Sequence, residues 1–248
     1  MSRYQDADNT VLRLFEASRL AALICGRSAL ELMRSAEKHF RALPLNQLRE
    51  ADLETRKMSS CCDWKPSCTL SASLRARTVP AVLGEVDVFL SHSWYDDSSE
   101  KWSALQNWGK AFREKHDREP LLWLDEACLH PDHLEETVAC IPLFVAGCSE
   151  LLVLAGHTYS ARLWCLMEVF VFQRTSPDAN ITLIALEDRS TEGHQSLCDK
   201  IDVRKATCFN RSDRDNILSV LKAGVGYKTF NQGVRKVFTR LPVSVSRP

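Results

Sequence analysis

The stretch VDVFLSHS at residues 86–93 is a short apolar run that ends in polar residues, and it is typical of a buried β-strand. Similar apolar runs follow at residues 121–124, 151–155, 181–186 and 203–209. Short apolar strands that alternate with helical segments predict a parallel sheet covered on both faces. We therefore predict an α/β fold: a flavodoxin-like, doubly wound sheet of five parallel strands in the order 2-1-3-4-5.

The intervals between these runs have the apolar spacing of helices. Helices are predicted at residues 100–115, 133–145, 161–174, 191–200, 213–223 and 228–240. Apolar residues also recur at helical spacing over residues 10–40, and a shorter helix is predicted at residues 45–57. Serine and proline residues then interrupt any period. The predicted organisation is an N-terminal helical region (1–57), a linker (58–83) and the α/β domain (84–240).

The composition is that of a globular chain without an overall charge bias. Apolar residues make up 45% of the 248 residues, and 32 Lys and Arg residues balance 32 Asp and Glu residues. Residues 81–174 carry 15 Asp and Glu against 7 Lys and Arg, which argues against a nucleic-acid partner because phosphate binding requires a basic face. No run approaches the roughly 20 apolar residues of a membrane span, and residues 1–10 lack a signal-peptide core. Several of the 10 cysteines lie in apolar stretches, as free thiols do, so we expect a reducing, cytoplasmic environment.

Polar and aromatic residues follow the ends of the first three predicted strands. The carboxyl ends of parallel strands meet at one edge of the sheet, where ligands of such folds bind. We therefore expect these side chains to line one pocket and to bind substrate. The predicted substrate-binding residues are Ser91, Ser93, Trp94, Tyr95, Asp125 and Trp164.

Glu168 lies within an apolar stripe of the helix predicted at residues 161–174. At about 100° per residue, its neighbours on the helix surface are Ala161, Trp164, Cys165, Val171 and Phe172. A carboxylate among apolar side chains is costly unless it is paired or reaches a cleft, and burial raises its pKa. Glu168 is therefore a candidate site residue, although a Glu paired for structural reasons alone gives the same pattern.

Three segments resemble motifs of Toll/interleukin-1 receptor (TIR) domains. Residues 87–93 (DVFLSHS) resemble the first box, and residues 122–125 (LWLD) resemble the strand and Asp that open the loop after strand two. Residues 162–168 (RLWCLME) resemble the (S)RWC…E segment that is clear in plant TIR domains, with Leu163 as an additional residue. The motifs occur in the family order, and the whole resembles a divergent, protist-type TIR-like protein.

The resemblance implies an intracellular signalling domain that hydrolyses NAD between nicotinamide and ribose, with NAD as substrate and no separate cofactor. It implies Glu168 as the catalytic residue, and as partners NAD or a related nucleotide and self or other TIR domains. The chain departs from the family pattern at Glu126, where Gly is usual, and at His92 and Trp94, where many members carry Arg. Two other functions remain open: a non-catalytic TIR scaffold that recruits other TIR domains, and an unrelated flavodoxin-like enzyme such as a base-exchanging transferase.

Potential metal ligands are present without a standard zinc spacing. The residues concerned are Cys128, His130, His133 and Cys140, with Cys61, Cys62 and Cys68 in the predicted linker. Structural zinc sites pair their ligands at short, regular intervals that this chain lacks. We therefore expect no metal site, and the absence of a Gly-rich phosphate loop gives no support to an ATPase.

Overall fold

A mixed six-stranded β-sheet with helices packed against it forms the centre of this α/β protein. The computed structural model describes residues 2–54, 69–176, 180–186 and 197–240. The strands are β1 (Arg41–Pro44), β2 (Val79–Pro80), β3 (Val86–His92), β4 (Leu121–Trp123), β5 (Cys148–Ala155) and β6 (Asn180–Ala185). The helices are α1 (Ser2–Cys25), α2 (Ala29–His39), α3 (Thr69–Ala76), α4 (Ser98–His116), α5 (Asp125–Cys128), α6 (Leu134–Ala139), α7 (Ile141–Ala146), α8 (Leu163–Thr175), α9 (Arg211–Ala223) and α10 (Tyr227–Arg240). Within these described ranges, no helix has the length and apolar character needed to cross a membrane.

The sheet has the strand order β2-β1-β4-β3-β5-β6. The four central and outer strands β4, β3, β5 and β6 run parallel to one another. They correspond to the apolar runs predicted as strands two, one, three and four, which lie side by side in that order. β1 pairs antiparallel with both β2 and β4. The prediction of a purely parallel, five-stranded sheet is therefore wrong in both strand number and direction.

The error has two physical causes. The run at residues 203–209 is not a ladder strand, because the backbone N–H groups of Lys205 and Ala206 bond to the Asp202 carbonyl and curl the segment into a turn. Its pairing in the described part of the chain is an isolated bridge between Thr207 and Arg162. β1 has 4 residues that include Arg41 and Pro44, and β2 has only 2, so neither forms an apolar run.

The N-terminal region breaks where the sequence predicted one helix over residues 10–40. Gly26 follows α1 with a φ of +69°, a left-handed conformation that Gly adopts without strain. Ser28 then starts α2 with a capping box, in which its side chain accepts a hydrogen bond from the Glu31 N–H. α1 packs against α7 and α8, and its Ala17 is fully buried. The N-terminal helices thus share the core of the sheet.

The interval predicted as a linker is only partly described. Residues 58–68 lie outside the described residues, whereas α3 and β2 occupy much of the remainder. α3 is tied to the sheet edge by Arg75, whose guanidinium donates to the carbonyl oxygens of Cys128 at 2.7 Å and of Leu129 at 3.1 Å. The described part of this interval therefore contains regular structure that the Ser/Pro pattern did not indicate.

The connections after β4 and β5 place the starts of two helices at the carboxyl edge of the sheet. α5 begins two residues after β4, and α8 begins after a short 3-10 turn, Tyr159–Ala161, that follows β5. The single helix predicted at residues 133–145 is divided into α6 and α7, because Pro142 lacks an N–H and suits the first turn of a new helix. These breaks leave space beyond the carboxyl ends of β3 and β4.

Candidate functional site

A cavity of about 990 Å³ occupies that space. The walls come from the loop after β3, the segment before and within α6, the start of α8, the start of α9 and the end of α1. The predicted site residues that line it are Ser93, Trp94, Asp125, Trp164 and Glu168. Small-molecule sites typically enclose about 300–1,000 Å³, so this cavity has room for a ligand of dinucleotide size.

Glu168 lies on α8 at the wall of the cavity and is 8% exposed. Its carboxyl group accepts a hydrogen bond from Ser91 Oγ at 2.5 Å. Burial raises the pKa of Glu168 to about 8, although the Ser91 hydrogen bond acts in the opposite direction. In the ligand-free protein at pH 7, Glu168 is therefore largely protonated.

A hydrogen-bonded chain behind Glu168 accommodates both of its protonation states. Ser91 Oγ lies 2.7 Å from the Tyr159 hydroxyl, which donates to the Cys165 carbonyl oxygen at 3.3 Å. Ser91 donates to an ionised Glu168, whereas a protonated Glu168 donates to Ser91, whose hydrogen can then turn to Tyr159. Ser91 is fully buried and lies behind the cavity wall. The Ser91 side chain contacts Glu168 and Tyr159 and does not line the space expected to hold substrate.

His92, Asp125 and Glu126 form a second group of titratable side chains, which acts electrostatically on Glu168. His92 Nε2 lies 3.3 Å from Glu126 Oε2 and 3.6 Å from Asp125 Oδ1. Burial disfavours the charged imidazole, but the two carboxylates outweigh it and raise the pKa of His92 to about 10. Burial and the nearby Asp125 raise the pKa of Glu126 to about 7. Burial also acts to raise the pKa of Asp125, but hydrogen bonds from Glu126 and His92 outweigh it and hold that pKa below its usual range. Asp125 also accepts a hydrogen bond from Trp94 Nε1 at 2.9 Å.

Ser93 lies in a network that joins the loops after β3 and β5. Its hydroxyl accepts from Thr158 Oγ1 at 2.6 Å, and its carbonyl accepts from the buried Lys101 Nζ at 3.2 Å. Asp96 accepts hydrogen bonds from the N–H groups of Gly156 at 3.1 Å and Thr158 at 2.9 Å. A Cβ on Gly156 would lie 2.4 Å from Asp96 Cγ, so this approach requires Gly. The network fixes the rim of the cavity.

The remaining predicted aromatic residues differ in position. Trp164 lines the cavity and is hydrogen-bonded to Asp213, whose pKa is raised by burial in spite of that bond. Tyr95 is 48% exposed and lies outside the cavity wall, with the Arg162 guanidinium 4.8 Å from its ring centroid. Arg162 itself lines the cavity, so Tyr95 contacts the site through this cation.

Sequence reasoning missed several residues of the cavity wall. Among them are His92, Arg162, Phe209, Asp213 and Arg27. His92 and Arg162 lie inside the quoted motifs, and their adjacency to Ser91 and Trp164 could have indicated them. Arg27 follows α1 and Asp213 lies on α9, far from the motifs along the chain, and no local pattern marks either residue.

Comparison with known proteins adds no relative to this picture. No protein-family model matches the chain, and no curated protein matches it. The TIR-like interpretation therefore remains a prediction, based on the three motifs in the sequence and on the position of Glu168 beside the cavity.

Proposed function

We propose that the cavity binds NAD and that Glu168 promotes hydrolysis of its nicotinamide–ribose bond, within a flavodoxin-like, TIR-like signalling domain at residues 84–240. The observation that carries the proposal is a buried carboxyl group at the wall of a dinucleotide-sized cavity. Trp94 and Trp164 line the same cavity and offer aromatic rings for stacking on nicotinamide or adenine.

The proposed chemistry requires only one carboxylate. Cleavage of the nicotinamide–ribose bond develops positive charge on the ribose in an oxocarbenium-like transition state. A preorganised carboxylate in a poorly hydrated pocket stabilises that charge. The bonding electron pair neutralises the pyridinium nitrogen, so nicotinamide leaves as a neutral ring and needs no general acid. Water then adds to the ribose carbon and releases one proton, giving ADP-ribose.

The raised pKa of Glu168 suits a cationic ligand. The nicotinamide ring of NAD is positively charged, and a positive charge beside a buried carboxyl group favours the ionised form. We expect NAD binding to release the Glu168 proton, after which Ser91 donates its hydrogen to the carboxylate. Arg162 on the cavity wall provides a cation for the pyrophosphate, and Asp125 provides an acceptor for ribose hydroxyls.

A non-catalytic TIR interaction module is the second candidate. The observation that favours it is that Glu168 already has a hydrogen-bond partner in Ser91 and is neutral at pH 7, as a purely structural buried carboxyl group would be. Tyr95 and Phe209, which are 48% and 39% exposed, would supply aromatic surface for association with another TIR domain.

Nicotinamide release from NAD by the purified protein tests the proposal, with Glu168→Gln and Glu150→Gln as matched variants. Glu150 is a carboxyl group on β5 whose pKa is also raised by burial and which accepts a hydrogen bond from Thr182 Oγ1 at 2.5 Å, but it lies away from the cavity. Loss of a preorganised electrostatic group typically slows turnover by about 100-fold or more, so Glu168→Gln should show that loss and Glu150→Gln should not.

The other outcomes of this assay assign the alternatives. Equal turnover by the wild type and Glu168→Gln would remove Glu168 from the mechanism. No turnover by the wild type at any protein concentration would favour the interaction module. Exchange of an added free base into NAD would identify a base-exchanging transferase.

A further inference from the structure

A cluster of histidines with one glutamate joins the N-terminal region to α6. His39 is the last residue of α2, His133 ends the 3-10 turn before α6, and Glu136 lies on α6. His39 Nε2 lies 3.6 Å from Glu136 Oε1, and His133 Nδ1 lies 3.4 Å from Glu136 Oε2. These potential ligand atoms all lie within 4.8 Å of one another.

These separations suit a single tetrahedral ion. Zinc bonds to imidazole nitrogen and carboxylate oxygen are about 2.0–2.1 Å long, which places tetrahedral ligand atoms about 3.3–3.4 Å apart. Each imidazole nitrogen lies within a few tenths of an ångström of that spacing from one Glu136 oxygen, His39 Nε2 from Oε1 and His133 Nδ1 from Oε2. Two His and one Glu form a donor set that zinc uses where one position is left open to water.

The hydrogen bonding of these side chains also suits a metal ion. Among the described residues, the buried His39 Nε2 has no hydrogen-bond partner. Ser35 Oγ donates a hydrogen bond to Glu136 Oε1 at 2.8 Å. Ser35 thereby orients the carboxylate as outer-shell partners of metal ligands do.

A third histidine, His130, lies beside the cluster but is not a ligand in this arrangement. Its ring centroid is 4.7 Å from that of His133, and its Nδ1 accepts a hydrogen bond from the Asp132 N–H at 3.2 Å. A neutral imidazole that accepts at Nδ1 carries its hydrogen on Nε2, which leaves no free lone pair for a metal. The donor set is thus His39, His133 and Glu136.

We propose that His39 Nε2, His133 Nδ1 and the Glu136 carboxylate bind one Zn²⁺ ion. His133 and Glu136 line the cavity, so water from the cavity can occupy the remaining coordination position. The ion bridges α2 to α6 and so fastens the N-terminal region to the α/β core. Glu168 lines the same cavity but is not a ligand of this site, and the tests of the site measure metal binding and stability and do not depend on NAD turnover.

Zinc titration calorimetry on the chelator-treated protein tests the site, with Glu136→Gln, His133→Gln and Glu135→Gln as variants. Glu135 is the exposed neighbour of Glu136 on the same helix and serves as the matched control. The wild type and Glu135→Gln should bind one Zn²⁺, and each ligand variant should bind at least about tenfold more weakly. Mg²⁺ should not bind, because it prefers all-oxygen ligands.

Thermal unfolding gives an independent readout. Zinc at about 100 times its dissociation constant should raise the Tm of the wild type by about 5–10 °C, and of the ligand variants by much less. Cobalt(II) should bind without a thiolate-to-metal charge-transfer band, since the donor set contains no cysteine. Equal zinc affinity in the wild type and both ligand variants, or a thiolate band, would overturn the proposal.

Discussion

Replacing Glu168 by Gln should make the folded protein increasingly more stable than the wild type as the pH rises. Burial raises the pKa of Glu168 from 4.5 to about 8, so between these values the folded protein holds a proton that the unfolded chain has lost. The free energy of unfolding of the wild type therefore falls with pH across this window, by about 1.4 kcal/mol per unit for one proton. Over the roughly 3.5 units between 4.5 and 8, the loss is on the order of 5 kcal/mol.

The Gln variant removes this pH dependence. Its amide has nearly the shape of a carboxyl group, carries no charge at any pH, and can accept the Ser91 hydrogen bond. Near pH 5 the two proteins should therefore unfold at similar temperatures. At pH 9 the variant should unfold at a Tm about 10–20 °C higher, since about 1 kcal/mol corresponds to about 2–4 °C in a domain of this size.

Calorimetric or circular-dichroism melts between pH 5 and pH 9 provide the measurement. Groups that do not interact with Glu168 titrate alike in both proteins and cancel in the difference between them. Glu135→Gln, at an exposed position, should follow the wild type at every pH. A difference in Tm between the wild type and Glu168→Gln that stays constant with pH, or a variant that is less stable at pH 9, would refute the assignment of a raised pKa to burial.

Three further predictions concern the pH dependence of catalysis, the effect of protein concentration and the packing of Gly156. NAD hydrolysis should require ionised Glu168, so kcat/KM should rise with pH through an apparent pKa near 8, and a flat profile over pH 6–9 would contradict this role. If the cavity is completed by a neighbouring copy of this chain, specific activity should increase with protein concentration, and strictly proportional turnover in a dilution series would exclude such completion. Gly156→Ala should destabilise the fold by about 1–3 kcal/mol in denaturant melts, because its Cβ would lie 2.4 Å from Asp96 Cγ. Gly233→Ala on α10 is the control, since its Cβ would meet only Gln173 Oε1 at 3.5 Å, and it should be neutral or stabilising.

The four parallel strands were predictable because each overlaps a largely apolar run in the sequence. β3 and β5 have 7 and 8 residues and are buried along most of their length, which gives the continuous apolar pattern of a two-sided strand. The antiparallel edge was not predictable, because Arg41 and Pro44 interrupt the apolar character of β1, and β2 has only 2 residues. The run at residues 203–209 has the composition of a strand, but its backbone hydrogen bonds go to Asp202 in a turn.

The site was predictable only where its residues are close to strand ends in the sequence. Glu168 and Trp164 stand out because their spacing on one helix can be worked out from the helical period. The pairing of His92 with Glu126 could not be inferred, since it depends on how the end of β3 and the start of α5 lie relative to each other. The same limit applies to Asp213 on α9, whose hydrogen bond to Trp164 joins two helices that are distant in the sequence. Contacts between distant segments need the tertiary structure.

The antiparallel pairing of β1 and β2 has a consequence for aggregation. Without these strands, β4 would be the outermost strand and would present unpaired backbone N–H and C=O groups to strands of other molecules. β1 covers that border, and β2, only 2 residues long and ending in Pro80, offers almost no ladder for a further strand. A chain shortened to begin at residue 84 would lose this protection and expose β4 to cross-molecule pairing. The intact chain resists strand addition at this border, so any self-association must use other surfaces.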